Sequence, residues 1–164
     1  MALTLSPPVS ISAEPSRPDA TQVDILSRAM VLEVMNAQRL RRGLPPLHRN
    51  ARLDAAAADR VRDMFEQRYF DHVAPDGTQP FVWVRRRGYA YSRLGENLAT
   101  GQRGARQVVE QWMASSGHRA NILGDFEDAG IAIAEGSPTG ESHGYTFVAM
   151  YGREQGGPWV RSPR

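Results

Sequence analysis

The chain reads as an α+β domain in which helices come first and strands last. Three observations predict this. Apolar residues recur at helical spacing in several successive runs before residue 124. Near the end, Ile131 and Ile133, and then Tyr145, Phe147, Ala149 and Tyr151, alternate on either side of Ser137-Pro138-Thr139-Gly140, the pattern of an antiparallel hairpin. Finally, 164 residues without an internal repeat fill one domain and are too few for two ordinary ones. Helices covering a small, mainly antiparallel sheet satisfy all three.

Residues 1–19 are rich in Ser and Pro and lack periodicity, which predicts a flexible tail ahead of a domain spanning 20–153. Asp19 with Gln22 three residues on marks a capped helix start. Leu26, Met30, Val34, Ala37 and Leu40 then form a helical stripe, with Val31 and Met35 widening it, and Gly43 stops the helix. Leu44-Pro45-Pro46-Leu47 turns the chain. Asn50 caps a second helix whose face is Leu53, Ala57, Val61, Met64 and Phe65 and which ends near Arg68. Pro75-Asp76-Gly77 is a turn, Pro fixing one dihedral and Gly accepting a positive one. A short third helix is expected over 78–88, with Pro80 in its first turn. Gly95 to Gly101 reads as a short extended or looped stretch. A fourth helix, about 103–114, buries Val108, Val109 and Trp112. Ser115 or Ser116 then caps a short fifth helix carrying His118 to Leu123. After the hairpin, Arg153 to Arg164 with Gly156-Gly157-Pro158 reads as a loosely ordered end, so that 154–164 form a second tail.

The formal net charge is only +2, although Arg is strongly favoured over Lys. Arg39, Arg41 and Arg42, and again Arg85, Arg86 and Arg87, form basic runs, but each falls in the last turn of an expected helix, where cations complement the carbonyl end of the dipole. No platform of stacking aromatics accompanies them, so nucleic acid is not an expected partner. No apolar stretch reaches the roughly 20 residues that cross a bilayer, so the chain is not expected to span a membrane. Met1 to Ala13 lack an early positive charge and are interrupted by Pro7-Pro8, which is not the pattern of a secretory leader. There is no cysteine, and a core burying roughly 70% of the unfolded surface holds a chain of this size without one.

Of four histidines, His48 lies in a proline-containing turn and His143 in the hairpin loop, and neither suggests a role. His72 follows a helix end and precedes a tight turn, and His118 opens a short helix. Both sit at element ends, where a scaffold holds a side chain that still reaches solvent. If the fold brings them together with Glu96, they make either a set of zinc ligands with a position left open or a general acid–base group; if it does not, they are two unrelated histidines, each bonding a nearby backbone group. Ser115 and Ser116 beside His118 are better explained by helix capping than as nucleophiles, because neighbours along a chain supply neither base geometry nor an oxyanion pocket. Trp83 and Trp112 belong to apolar helix faces. Gly101 and Gly104 lack the lysine and spacing of a phosphate loop.

Phe70-Asp71-His72, then Gly95-Glu96-Asn97-Leu98-Ala99, then Trp112-Met113-Ala114-Ser115-Ser116-Gly117-His118-Arg119-Ala120-Asn121-Ile122-Leu123 resemble the CAP superfamily, also called SCP-like domains. Asn36-Ala37-Gln38-Arg39 followed by Gly43-Leu44-Pro45-Pro46-Leu47, and the stretch Tyr145 to Gly152, are similar to its bacterial branch; the resemblance covers roughly residues 25–153. It implies an alpha-beta-alpha sandwich with a central cleft that gathers two histidines and two glutamates. Carried over by motif, these are His72, Glu96 and His118, while the second glutamate's position, three residues after Trp112, is Ser115 here. Glu110 does not take its place, since on a helix it faces another direction.

The resemblance implies a secreted or periplasmic protein, with a cleft of His72, Glu96, Ser115 and His118. His72 and His118 would hold zinc or another divalent cation, and Glu96 would ligate it or orient a histidine. The ligand it implies is a small or lipid-like molecule, or a component of the cell envelope. The rival expectation is a hydrolase acting on a protein or an envelope polymer through Glu96 or a metal-activated water. A third is a structural domain whose cleft is vestigial.

Overall fold

In a computed structural model, residues 20–141 and 143–156 are described, with side chains from residue 28 onward. The expected tail over 1–19, the Asp19 cap, the Leu26 side chain and residues 157–164 lie outside the described part. Five helices, α1 (Ala20–Leu40), α2 (Ala51–Gln67), α3 (Phe81–Arg86), α4 (Ala105–Ala114) and α5 (Ser116–Ile122), accompany four strands, β1 (His48–Arg49), β2 (Tyr91–Gln102), β3 (Asp128–Glu135) and β4 (Tyr145–Glu154). The sheet order is β1-β3-β4-β2, with β3·β4 and β4·β2 antiparallel and only the two-residue β1 parallel, on β3.

Alternation along β4 sorts the core into two layers. Phe147, Ala149 and Tyr151 face α1, α4 and α5 together with Val31, Met35, Val108, Val109, Trp112 and Ile122. Val148 and Met150 face α2 and α3 with Leu53, Ala56, Ala57, Met64 and Val84. Helices therefore cover both faces of one sheet, the α+β sandwich expected. The β3 backbone reaches α2 closely at Gly130, where a Cβ would collide with the Leu53 carbonyl carbon. Only the missing side chain lets the two layers approach that far.

Local signals explain most boundaries. Asn50 accepts hydrogen bonds from the backbone N–H of Arg52 at 3.0 Å and of Leu53 at 3.4 Å, capping α2. Arg68, at φ 54°, ends it in the left-handed region and donates its N–H to Met64 O.

Several expectations need correction. The 95–101 stretch is the middle of a 12-residue strand, β2. Pro80 stands at the N-cap of α3, just before its first turn. Ser115 stands at the N-cap of α5 but makes no side-chain capping bond, and Ser116 is the first helical residue. Arg153 and Glu154 belong to β4 and are not part of a loose end, and Gln155 N donates to Ala90 O at 3.0 Å. In α1 the buried line is Val31, Met35 and Arg39, whereas Leu40 is 61% exposed, so the pair assigned to the edge of the stripe is its centre. Arg39 is no surface cation: Arg41 and Arg42 lie past the helix end, exposed, while Arg39 is buried.

Candidate functional site

β2 is an edge strand, and a cleft of about 440 Å³ opens beside it. One wall comes from the α2–α3 side, with His72, Pro80 and Phe81; the other comes from the α4–α5 junction, with Ser115, Gly117, His118 and Asn121. Leu94, Gly95 and Glu96 of β2 form the floor between them. All four expected cleft residues, His72, Glu96, Ser115 and His118, line it. Glu110 is exposed on α4, His48 is exposed in β1 and His143 is exposed in the β3–β4 loop.

Strand alternation assigns the two sides of the Gly95-Glu96-Asn97 segment to different tasks. Glu96 turns toward α2, where its Oε1 lies 2.7 Å from His72 Nδ1 and its Oε2 accepts from Arg60 Nε at 3.2 Å. Asn97 turns toward α5, donating its Nδ2 to His118 O at 3.0 Å and to the Tyr151 hydroxyl at 3.1 Å. Asn121 returns the tie from α5, its Nδ2 donating to Glu96 O at 3.0 Å and to Asn97 Oδ1 at 2.8 Å. Trp112 Nε1 donates to Leu98 O at 3.0 Å, so two carbonyls of this edge strand, those of Glu96 and Leu98, are met by side chains.

The two histidines differ electrostatically. The hydrogen bond to Glu96 raises the His72 pKa above its ordinary value, with the charges of Glu96 and Asp71 in support and burial and Arg60 opposing. Burial lowers that of His118, and the positive charge of His72 adds to this. His118 Nδ1 is shut off from solvent and has no hydrogen-bond partner among the described residues. His72 is more open, its side chain 52% exposed against 2% for Glu96.

Arg60 was absent from the sequence-based candidates. It is wholly buried on α2, donating to Glu96, to the Tyr69 hydroxyl and to the backbone carbonyls of Asp71 and His72, the last at 2.6 Å. Its signal is a position within the apolar stripe of α2, three residues after Ala57: an arginine there must be paired. Arg39 is its counterpart on the other layer. It donates to Pro45 O at 2.8 Å, Ile122 O at 2.9 Å, Gly124 O at 2.8 Å and Phe126 O at 3.2 Å, holding the end of α5 and the loop behind it.

For a metal, the donors divide clearly. Both Glu96 oxygens are engaged, so its place is behind His72, where accepting from Nδ1–H leaves the Nε2 lone pair free. The second donor would be His118 through Nε2, since its Nδ1 is shut off from solvent. These two imidazoles suit a borderline cation such as zinc. Among the described residues, no group of three or more His, Cys, Asp or Glu is gathered for a metal, so any ion held here would take its remaining positions from water or a ligand.

A sandwich with this cleft at its sheet edge defines a class. The model of the cysteine-rich secretory protein family (CAP) matches residues 32–151, and the chain belongs to that family. Among curated proteins, "Uncharacterized protein YkwD" of Bacillus subtilis (strain 168) is 40% identical over 106 residues, covering 64% of this chain and 41% of that protein. "Uncharacterized membrane protein YlbC" of the same organism is 26% identical over 113 residues, 68% of this chain and 33% of that one. The chain thus spans less than half the length of these two relatives. In structure it resembles an extracellular protein containing a SCP domain from Bacillus anthracis, with TM-score 0.71 and 22% identity over 87% of this chain and 45% of that one. It also resembles an outer surface protein from Borrelia burgdorferi, with TM-score 0.70 and 20% identity over 84% of this chain and 97% of that one. These likenesses establish a common fold. No helix among the described residues is long and apolar enough to cross a membrane.

Proposed function

We propose that this domain is an extracytoplasmic binding module whose cleft takes a divalent cation, zinc first among them, through His72 and His118. The observation that carries the reading is the Glu96–His72 contact at 2.7 Å, which orients an imidazole as carboxylate–histidine pairs do at zinc sites. The lowered proton affinity of His118 supports it, since a neutral ring offers a lone pair at neutral pH. Two protein donors give modest affinity, which falls on acidification as protons compete for His72. Pro80, Phe81 and Leu94 give the cleft an apolar wall beside that pair, which suits a small or lipid-like ligand or an envelope component. The outward location rests on likeness to proteins described as extracellular or outer-surface.

A hydrolase using Glu96 or a metal-activated water is the second reading. The burial of Glu96, whose side chain is 2% exposed and lies against His72, weighs against Glu96 as a base, because a base must lie within reach of the proton it takes.

Calorimetric titration of zinc into metal-free protein tests the first reading, with the His72→Ala/His118→Ala double variant as control. One-site binding lost in the variant supports it, and binding that survives there ends it. Turnover of a peptide or envelope polymer, abolished by Glu96→Gln in a folded protein, would establish the hydrolase instead.

A further inference from the structure

We infer that Arg60 is the positioning residue of the cleft: it holds both the side chain and the main chain that aim His72, and so decides which imidazole nitrogen His72 presents. The inference rests on the metal-binding reading for its consequence, but not for its geometry.

Arg60 lies on α2, away from the cleft lining, yet its guanidinium reaches every fixture of His72. Through Nε it grips Glu96, the carboxylate facing His72 Nδ1. Through Nη2 it binds the carbonyls of Asp71 and His72 themselves. Its remaining arm meets the Tyr69 hydroxyl, which in turn donates to Asp63 Oδ2 at 2.5 Å, and the guanidinium carbon lies 5.3 Å from the Tyr69 ring centre. A planar fork with five N–H donors can serve a carboxylate, a hydroxyl and two carbonyls at once. An ammonium group, with three donors at one point, cannot span them.

The chemical consequence is specific. With Glu96 fixed, the neutral His72 ring keeps its proton on Nδ1 and offers Nε2 as lone-pair donor. With Arg60 gone, Glu96 is a buried carboxylate without its cation and the 71–72 backbone loses two anchors. The ring then rotates and its proton redistributes to Nε2, removing the donor from the cleft.

The test is nitrogen-15 NMR of the imidazoles of metal-free protein, at a pH above the His72 midpoint found by titrating the same sample, so that the ring is neutral. Wild type is expected to show His72 protonated on Nδ1, Arg60→Lys a shift toward Nε2–H, and zinc affinity about 10-fold lower or worse, as for lost outer-sphere partners. Arg39→Lys, a change at the other buried arginine, controls for general destabilisation and leaves the His72 tautomer unchanged. Should Arg60→Lys not fold, Tyr69→Phe loosens the same guanidinium and is expected to move the tautomer less, in the same direction. An unchanged tautomer in the folded Arg60→Lys or Tyr69→Phe variant overturns the inference. A wild type that binds no zinc, with the tautomer shift still seen in Arg60→Lys, overturns the metal reading and leaves the role of Arg60 standing.

Discussion

Asn121 occupies the space that a side chain on Gly95 would fill: a Cβ there would lie 2.9 Å from Asn121 Oδ1 and 3.0 Å from Phe126 Cζ. The contact places α5 directly against β2, and both residues line the cleft. Gly95→Ala is expected to push Asn121 off Glu96 O and Asn97 Oδ1 and to cost about 1–3 kcal/mol, as overpacking does. Urea denaturation of the variant measures this. A loss under a few tenths of a kcal/mol would show that α5 slides freely.

Arg39 should be among the costliest positions outside the cleft. Arg39→Met leaves the carbonyls of Pro45, Ile122, Gly124 and Phe126 without their shared donor, and each buried acceptor left unmet costs about 1–3 kcal/mol before relaxation. A net loss of about 3 kcal/mol or more in chemical denaturation is the expected outcome. A near-neutral Met variant would mean that water reaches those carbonyls.

At the end of α2 the chain carries a strain that can be relieved. Arg68 sits at φ 54°, where a Cβ is unfavourable and glycine is at ease. Arg68→Gly should stabilise the protein by up to about 1 kcal/mol, read as a raised denaturation midpoint. A loss of stability would show that the exposed Arg68 side chain contributes contacts outweighing the strain.

The histidines give opposite pH signatures. His72 has a raised folded-state pKa, so its stabilisation is complete below the unfolded value of 6.5 and is lost as pH rises through the folded value. His118 has a lowered one, so its contribution is complete above 6.5 and is lost as pH falls through the folded value. Their joint contribution therefore peaks near 6.5. NMR titration should place His72 above that value and His118 below it. Glu96→Gln should lower the first, and His72→Ala should raise the second by removing a facing charge. Coincident titration of the two rings in wild type would contradict the geometry.

Where the sequence was readable, the signals were local. The Asn50 cap, the stop at Arg68 and the alternation of β3 and β4 each depend on residues within one or two turns of the chain. The strand β2 was less visible because Gly95, Glu96, Asn97 and Thr100 break its apolar pattern: that strand spends its polar residues on ties to neighbouring elements rather than on solvent. β1 is two residues long and pairs with β3, far along the chain, so no window contains both partners. The histidines and glutamate of the cleft emerged through their motifs, but Arg60 and Arg39 did not. An arginine reads as surface unless its helix position is compared with the apolar stripe, and both sit in line with buried residues. Ser115 showed the reverse: its residue type suggested a cap, while the fold uses its backbone carbonyl, which accepts from Arg119 N at 2.8 Å.

The central claim is that His72 and His118, brought from opposite layers of the sandwich, share one ligand. X-ray absorption at the zinc edge of the loaded protein addresses it directly. Two imidazole nitrogens at about 2.0–2.1 Å, with oxygen donors completing the shell, are expected, falling to one in His72→Ala or His118→Ala. A shell with fewer than two imidazoles in wild type, or one unchanged by either substitution, would contradict the account.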